Sequence, residues 1–191
     1  MMRVFLMGFG VAAMLTGIAL PAFAQNMPAH PAGAVETQSL LAKPDMTDDE
    51  VIAWASQAAV ASMTFNYKDY QARLKNAAGY FTQEGWQKFS SGMVSAQFVD
   101  LVVAQKRSLI ATAAGQGAIV QNGFVDGAYA WHIVLPMALY YSSEDGEEGS
   151  HRMNLSLIVT RSDVNKDGRG IADWGQVAAE KPKQQGVPDL E

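Results

Sequence analysis

The stretch YAWHIVLPMALYY, residues 129–141, decides the fold class of this chain. Its apolar residues recur at every second position, which is the period of a β-strand with one buried face. Pro136 lies inside the run and has no N–H to donate, so it predicts a sheet edge or a bulge there. A second alternating stretch, residues 153–159, follows an acidic turn at 143–149. Together these stretches predict two long neighbouring antiparallel strands.

Shorter strands are predicted on both sides of this pair. Residues 109–113 could form a strand before it, and residues 171–177 a last strand after it. Asn122-Gly123 and Asp126-Gly127 are both dipeptides typical of hairpin turns. A long strand with a proline inside it is best explained by a sheet that bends. The second half of the chain therefore predicts a curved antiparallel sheet.

Helical periods precede the strands. Thr47 and Glu50 have the spacing of a capping box, which predicts a helix start. Apolar stripes at spacings of three and four then run to about residue 105, with breaks expected at 76–79 and at 90–92. These stripes contain the aromatic residues predicted to form the core: Trp54, Tyr67, Phe81, Trp86 and Phe89. Helices followed by strands predict an α+β domain with helices packed on one face of the sheet.

The two ends of the chain have different compositions from the middle. Residues 1–24 combine a short basic start, an uncharged apolar run and a small-residue ending, which predicts a signal peptide cleaved between Ala24 and Gln25. The alternative is an uncleaved membrane anchor, because the run is long enough to span a bilayer. Residues 25–46 predict a flexible linker, 47–179 the α+β domain and 180–191 a disordered tail. We expect a periplasmic domain with no membrane contact after cleavage.

Composition limits the partners and the chemistry. The formal net charge is −5 and no Lys/Arg cluster is present, which argues against nucleic acid and anionic membranes as main partners. The chain has no cysteine, so disulfides, thiolate metal sites and cysteine nucleophiles are excluded. No phosphate-binding loop, nucleophile elbow or metalloprotease motif occurs. The sequence predicts no catalytic residue, no cofactor and no metal.

Three polar groups deserve comparison with known sites. Residues 163–168, DVNKDG, resemble the first half of a calcium loop, but Trp174 replaces the acid expected at the twelfth position, so a polar hairpin is favoured. His132 and His151 could meet on neighbouring strands, yet lack an acid at ligand spacing. The acids at 144–148 share one loop, which favours a solvated turn over a catalytic pair.

Several segments resemble the IcmL/DotI family, over roughly residues 47–178. The most specific are Trp54, the run at 64–67 (TFNY), residues 81–89 (FTQEGWQKF) and Trp131 in the long strand. The family supplies an inner-membrane component of type IVB secretion and related conjugation systems, and its periplasmic domain is similar to the nuclear-transport-factor-like α+β roll. The resemblance therefore implies an IcmL-like scaffold subunit with no catalytic residues. Family members usually carry a cytoplasmic segment before a transmembrane helix, whereas only Met1-Met2-Arg3 precede the apolar run here.

Two functions follow from this reading. The first is a periplasmic assembly subunit that contacts other secretion or conjugation subunits, or further copies of itself, through exposed residues such as Trp131, Tyr140 and Tyr141. Alternation predicts that only one of the two tyrosines is exposed. The second is a small-molecule binder or isomerase-like enzyme that uses the cavity of the same roll. A buried acid in that cavity would favour the second function, and Asp100 is the candidate.

Overall fold

The computed structural model describes residues 40–177. Four α-helices come first: α1 (Asp48–Met63), α2 (Tyr70–Ala77), α3 (Gln83–Ser95) and α4 (Phe98–Ala104). The strands are β1 (Phe65–Asn66), β2 (Arg107–Ala113), β3 (Ala118–Val125), β4 (Ala128–Ser143), β5 (Glu148–Arg161) and β6 (Arg169–Val177). A 3₁₀ turn, Ala78–Tyr80, follows α2. This order confirms the α+β class.

The six strands form one antiparallel sheet in the order β1-β2-β4-β5-β6, and β3 pairs with β4 beside the end of β2. The two strands predicted from alternation are the centre of the sheet, paired from Ala130↔Thr160 to Ser142↔Glu148. The sheet curls into a half-barrel around the helices, so one face is concave and the other convex. We call these the inner face and the outer face.

Helix α1 begins where its capping box predicts. The Thr47 hydroxyl accepts from the Glu50 backbone N–H, while the Thr47 backbone N–H donates to the Glu50 carboxylate at 2.8 Å. Three alanines on its buried side, Ala55, Ala58 and Ala59, are fully buried, because their small side chains let the helix approach the sheet closely. This helix is the main cover of the inner face.

The core lies between α1 and the inner face. Alternate residues of β4 and β5 supply it, and the most deeply buried are Trp131, Ile133, Leu135, Leu155, Leu157 and Val159. Because Trp131 is fully buried, its expected role as an exposed interface residue is wrong. The alternating pattern placed it on the same face as Ile133, which is the core face.

Pro136 lies where the neighbour of β4 changes. On one side of β4 the pairs with β2 end at Met137 and those with β3 begin at Val134. Pro136 falls between these two pairings, where a missing N–H breaks no ladder, and its carbonyl accepts from Ala114 N–H at 2.8 Å. The sequence predicted a sheet edge or a bulge at Pro136; the structure instead has a gap between two neighbouring strands on one side of β4, while pairing with β5 continues through Pro136.

Other local expectations were wrong or incomplete. Asn122-Gly123 lies inside β3, and the hairpin turn is at Asp126-Gly127, where both residues have positive φ. The helix break expected at 90–92 is absent, because α3 continues to Ser95. Within the predicted linker, Lys43 and Asp45 are held by Arg161 and Arg169 through contacts of 2.9 and 2.8 Å. The signal peptide and the C-terminal tail lie outside the described residues.

Candidate interaction site

A cavity of about 380 Å³ lies between helices α3 and α4 and the inner face of the sheet. Its apolar wall consists of methionine, aromatic and aliphatic side chains from seven elements: Met63, Phe89, Met93, Phe98, Leu101, Val102, Leu109, Leu139, Met153 and Trp174. Polar or basic groups are contributed by Lys88, Arg107, Tyr141, His151 and Gln176. The helix–sheet cavity of the second hypothesis therefore exists in the described part of the chain.

The acid that would favour an enzyme is not in this cavity. Asp100 lies on α4 but is exposed, and it does not line the cavity. Among the described residues that line the cavity, none is Asp or Glu. A proton-transfer site needs a carboxyl or comparable group within reach of the substrate. The prediction that Asp100 serves an isomerase-like reaction is therefore not supported by its position.

Four aromatic rings form one wall beside the cavity. Phe81 stacks on Phe89 with ring centroids 4.9 Å apart, and Trp174 meets Phe89 edge-on at 4.9 Å. Trp86 lies 5.6 Å from Phe81. Phe81 and Phe89 are buried, whereas Trp86 is half-buried and packs against the core from outside.

The remaining predicted core aromatics lie at the periphery. Trp54 is half-buried and its indole N–H donates to Asp167 at 3.1 Å. Tyr67 is half-buried and lies after β1, before α2 begins, so it is not on a helix. Its hydroxyl donates to Glu144 in the β4–β5 turn. Trp54 therefore joins helix α1 to the β5–β6 loop, and Tyr67 joins the segment after β1 to the β4–β5 turn, in addition to packing on the core.

The acidic turn is used for ion pairs. Glu144 lies 3.2 Å from the Lys106 ammonium, and Glu147 lies 2.7 Å from the Arg107 guanidinium. The hydrogen bond from Tyr67, followed by that from Lys106, holds the pKa of Glu144 below its usual value. A lowered pKa favours the ionised form of Glu144, so this carboxylate suits positioning of the turn and not proton transfer.

The two histidines do not meet. His132 points to the outer face, where its Nε2 lies 2.7 Å from the Ser156 hydroxyl, and His151 lies on the inner face beside the cavity. In residues 40–177 no three His, Asp or Glu side chains are grouped as a metal site would need.

In the loop that resembles a calcium site, side chains form hydrogen bonds with other parts of the protein. Asn165 donates to the Phe81 carbonyl at 2.8 Å and accepts from the Ser162 hydroxyl at 2.8 Å. Asp167 accepts from Trp54, as described above. Two of the three oxygen-bearing side chains of this loop, Asn165 and Asp167, are therefore hydrogen-bonded within the protein. Through them the loop that follows β5 is joined to Trp54 of α1 and to Phe81 before α3. The absence of calcium binding remains a prediction.

The outer face carries few charges. Its residues are the even-numbered positions 108–112, 132–142 and 148–160 of β2, β4 and β5, and two of them carry a formal charge, Glu148 at the start of β5 and Arg152. Ile110 and Tyr140 are direct cross-strand neighbours and are 56% and 47% exposed. Tyr141 turns inward, under the Arg107 guanidinium at 4.6 Å. Thus only Tyr140 of the two tyrosines is exposed, as alternation predicted.

Sequence reasoning missed some of the residues that matter here. Ile110 has a recognisable signal, because it is apolar at the outward position of a strand whose inward residues, Leu109 and Ala111, are buried. Lys88 and Arg107 have no such signal. They come from positions 19 residues apart and reach one cavity only through the packing of α3 against the sheet.

Among residues 40–177, none of the helices is long and apolar enough to cross a bilayer.

Comparison with known proteins gives a family. The family model for the type IVB secretion system inner-membrane complex component, DotI/IcmL, matches residues 6–180. No curated protein matches the chain.

Solved structures agree with that match. The periplasmic domain of DotI is 31% identical with a TM-score of 0.67, over 72% of this chain and 99% of that one. An IcmL-like type IV secretion system protein from Legionella pneumophila subsp. pneumophila str. Philadelphia 1 is 20% identical with a TM-score of 0.64, over 74% and 99%. A periplasmic fragment of TraM is 17% identical with a TM-score of 0.64, over 70% and 98%. The last two show the fold alone. Because the family model spans most of the chain and the DotI domain shares nearly a third of its residues, this chain belongs to the DotI/IcmL family of type IVB secretion inner-membrane complex components.

Proposed function

We propose that this chain is an assembly subunit of a type IVB secretion or conjugation apparatus and that it acts through protein–protein contacts. The observation that carries the proposal is the family match over residues 6–180. The site geometry supports it, because the described cavity lacks an acid and two acids of the β4–β5 turn, Glu144 and Glu147, are held in ion pairs. DotI and TraM are separate proteins with roles in their own systems. That this chain has a corresponding role is part of the proposal.

The contact surface that we propose is the outer face around Ile110 and Tyr140. Interface cores are depleted of charged residues and enriched in aromatic ones, and on this face the exposed Tyr140 has few charged neighbours, with formal charges at Glu148 and Arg152. Tyrosine supplies a large contact area while losing little conformational freedom on binding. Other subunits of the apparatus are the partners that we propose for this face.

The location that we propose is the periplasm, with the domain released by cleavage after Ala24. The polar Gln25-Asn26 pair and the small residues at 22 and 24 support cleavage. An uncleaved anchor would still put the domain beside the inner membrane. Both arrangements leave the outer face available to periplasmic parts of a secretion apparatus.

A transfer assay tests the function. Deletion of the gene should impair substrate transfer by the host's secretion or conjugation system, and wild-type protein should restore it. Tyr140→Thr should restore transfer about tenfold less well, because the aromatic anchor is lost while a residue suited to a strand is kept. Phe124→Thr is the matched control, since Phe124 is 61% exposed on the other face of the same sheet. Normal transfer in the deletion strain would contradict the proposal.

A further inference from the structure

The cavity beside α3 has the size and lining of a ligand site. A volume of about 380 Å³ falls in the range of small-molecule pockets, and most of its wall is apolar. Interiors normally fill spaces of this size, because side chains that line a void lose packing contacts. Met93 and Trp174 line it from the helix side and the sheet side, respectively. The wall therefore suits a flexible apolar group.

The charges that line the cavity have one sign. In a chain of net charge −5, the lining residues that can carry charge are Lys88, Arg107 and His151, and no acid is among those described. This distribution is opposite to that of the whole chain. An apolar wall with basic groups complements a molecule that has an apolar tail and an acidic head.

Hydrogen-bond donors remain available on these basic groups. The Lys88 ammonium contacts Glu84 at 3.1 Å and Asp173 at 3.2 Å, which leaves one of its three N–H groups. The Arg107 guanidinium gives Nη2 to Glu147 at 2.7 Å, and it has five N–H groups in all, so donors on the guanidinium remain for an anionic group. Glu84 and then Asp173 also raise the pKa of Lys88, so its ammonium stays charged.

We infer that this cavity binds one anionic amphiphile, with the alkyl chain against the methionine and aromatic wall and the acid group at Lys88 and Arg107. The ligand is a long-chain carboxylic acid or the acyl chain of an anionic lipid, which share this chemistry. Such binding lies beyond the proposed assembly function and does not depend on it. The cavity is on the inner side of the sheet, whereas the proposed contact surface is on the outer face.

Calorimetry with defined probes tests the inference. Dodecanoate should bind the purified protein at one saturable site per chain. Dodecyltrimethylammonium has the same tail and the opposite charge, and should bind about tenfold more weakly or worse. Vesicles of phosphatidylglycerol and phosphatidylcholine distinguish the sources, since binding to vesicles in preference to free dodecanoate would identify a membrane lipid as the ligand. No binding to either, or equal binding of the cationic amphiphile, would overturn the inference.

Two pairs of variants locate the site. Met93→Trp fills the cavity and should weaken dodecanoate binding at least about tenfold, whereas Val94→Trp, at the next position of α3 and 74% exposed, should leave it unchanged. Arg107→Gln should remove most of the preference for the anion, and Arg152→Gln, an outer-face arginine, should not. If Arg107→Gln has a lowered melting temperature, Lys88→Gln, which lies at an exposed helix position, is used in its place. Binding that Met93→Trp leaves intact would place the amphiphile elsewhere and refute the assignment.

Discussion

At the scale of single residues, Phe89 is the centre of the aromatic wall. It is 4% exposed and contacts Phe81, Trp86 and Trp174 with centroid distances between 4.9 and 5.7 Å. Phe89→Ala removes those contacts and leaves a cavity, so we expect a loss of about 3–5 kcal/mol in the free energy of unfolding. Phe124→Ala, at an exposed site, should change it by less than about 0.5 kcal/mol. Chemical denaturation of both variants measures the difference, and similar midpoints would show that the wall is not part of the core.

Glu144 is a single residue that should make the stability of the fold depend on pH in the acid range. Its pKa is below the ordinary 4.5, mainly because Tyr67 and then Lys106 donate to its carboxylate. A group whose folded-state pKa is depressed stabilises the fold above its unfolded-state pKa and loses that contribution as pH falls through the folded value. We therefore expect the melting temperature of the wild type to fall below pH 4.5 more steeply than that of Glu144→Gln. Since the carboxylate is solvent-exposed, the difference should be small and should shrink with added salt. Parallel acid profiles for the two proteins would contradict this assignment.

At the scale of elements, helix α3 packs directly on β6 through a glycine. A Cβ at Gly85 would lie 1.9 Å from the Ile171 carbonyl oxygen, whereas a Cβ at Gly92 in the same helix would meet nothing within 4 Å. Alanine usually stabilises a helix relative to glycine by about 0.5–1 kcal/mol. Gly92→Ala should follow that rule, while Gly85→Ala should instead destabilise the domain by about 1–3 kcal/mol, because the helix must move off the strand. Opposite signs in thermal melts would confirm this packing, and a stabilising Gly85→Ala would refute it.

Strand pairing explains which elements could be predicted from the sequence. The long strands β4 and β5 were predictable because alternation over residues 129–141 and 153–159 fits only one register with a buried face. The two turn dipeptides, which lie four residues apart, were not distinguishable locally, and the pairing Val125↔Ala128 is what selects Asp126-Gly127. Helix α3 continues past the Ser90-Ser91-Gly92 run because Phe89 and Met93 on either side of it pack toward the sheet. Tertiary contacts outweighed local propensity there.

One part of the candidate site could be predicted from the sequence, and another part could not. The period of two predicted that only one of Tyr140 and Tyr141 is exposed, without saying which, and the burial of Trp131 follows from the same period when it is applied along the whole strand. The cavity could not be predicted residue by residue, because its basic groups, Lys88 and Arg107, belong to a helix and a strand that meet only in the folded chain. Long-range packing of this kind leaves no periodic signal in a single sequence.

At the scale of the whole molecule, the state of the N-terminus decides how the domain is attached. The small-residue ending at 22–24 predicts cleavage, so mass spectrometry of the exported protein should find Gln25 as the first residue. The apolar run before it is otherwise long enough to remain in the bilayer. A membrane-embedded product that retains residues 1–24 would show that the segment is an anchor.

The central claim is that the outer face contacts another subunit of a secretion apparatus. A photo-crosslinking amino acid placed at position 140 in living cells tests this contact, with position 124 as the control because Phe124, on the other face, is 61% exposed against 47% for Tyr140. We predict a crosslink from position 140 to a second subunit of the type IV secretion or conjugation system, and little from position 124. If position 140 yields no secretion subunit while the protein is folded and expressed, the assembly function assigned to this face is wrong.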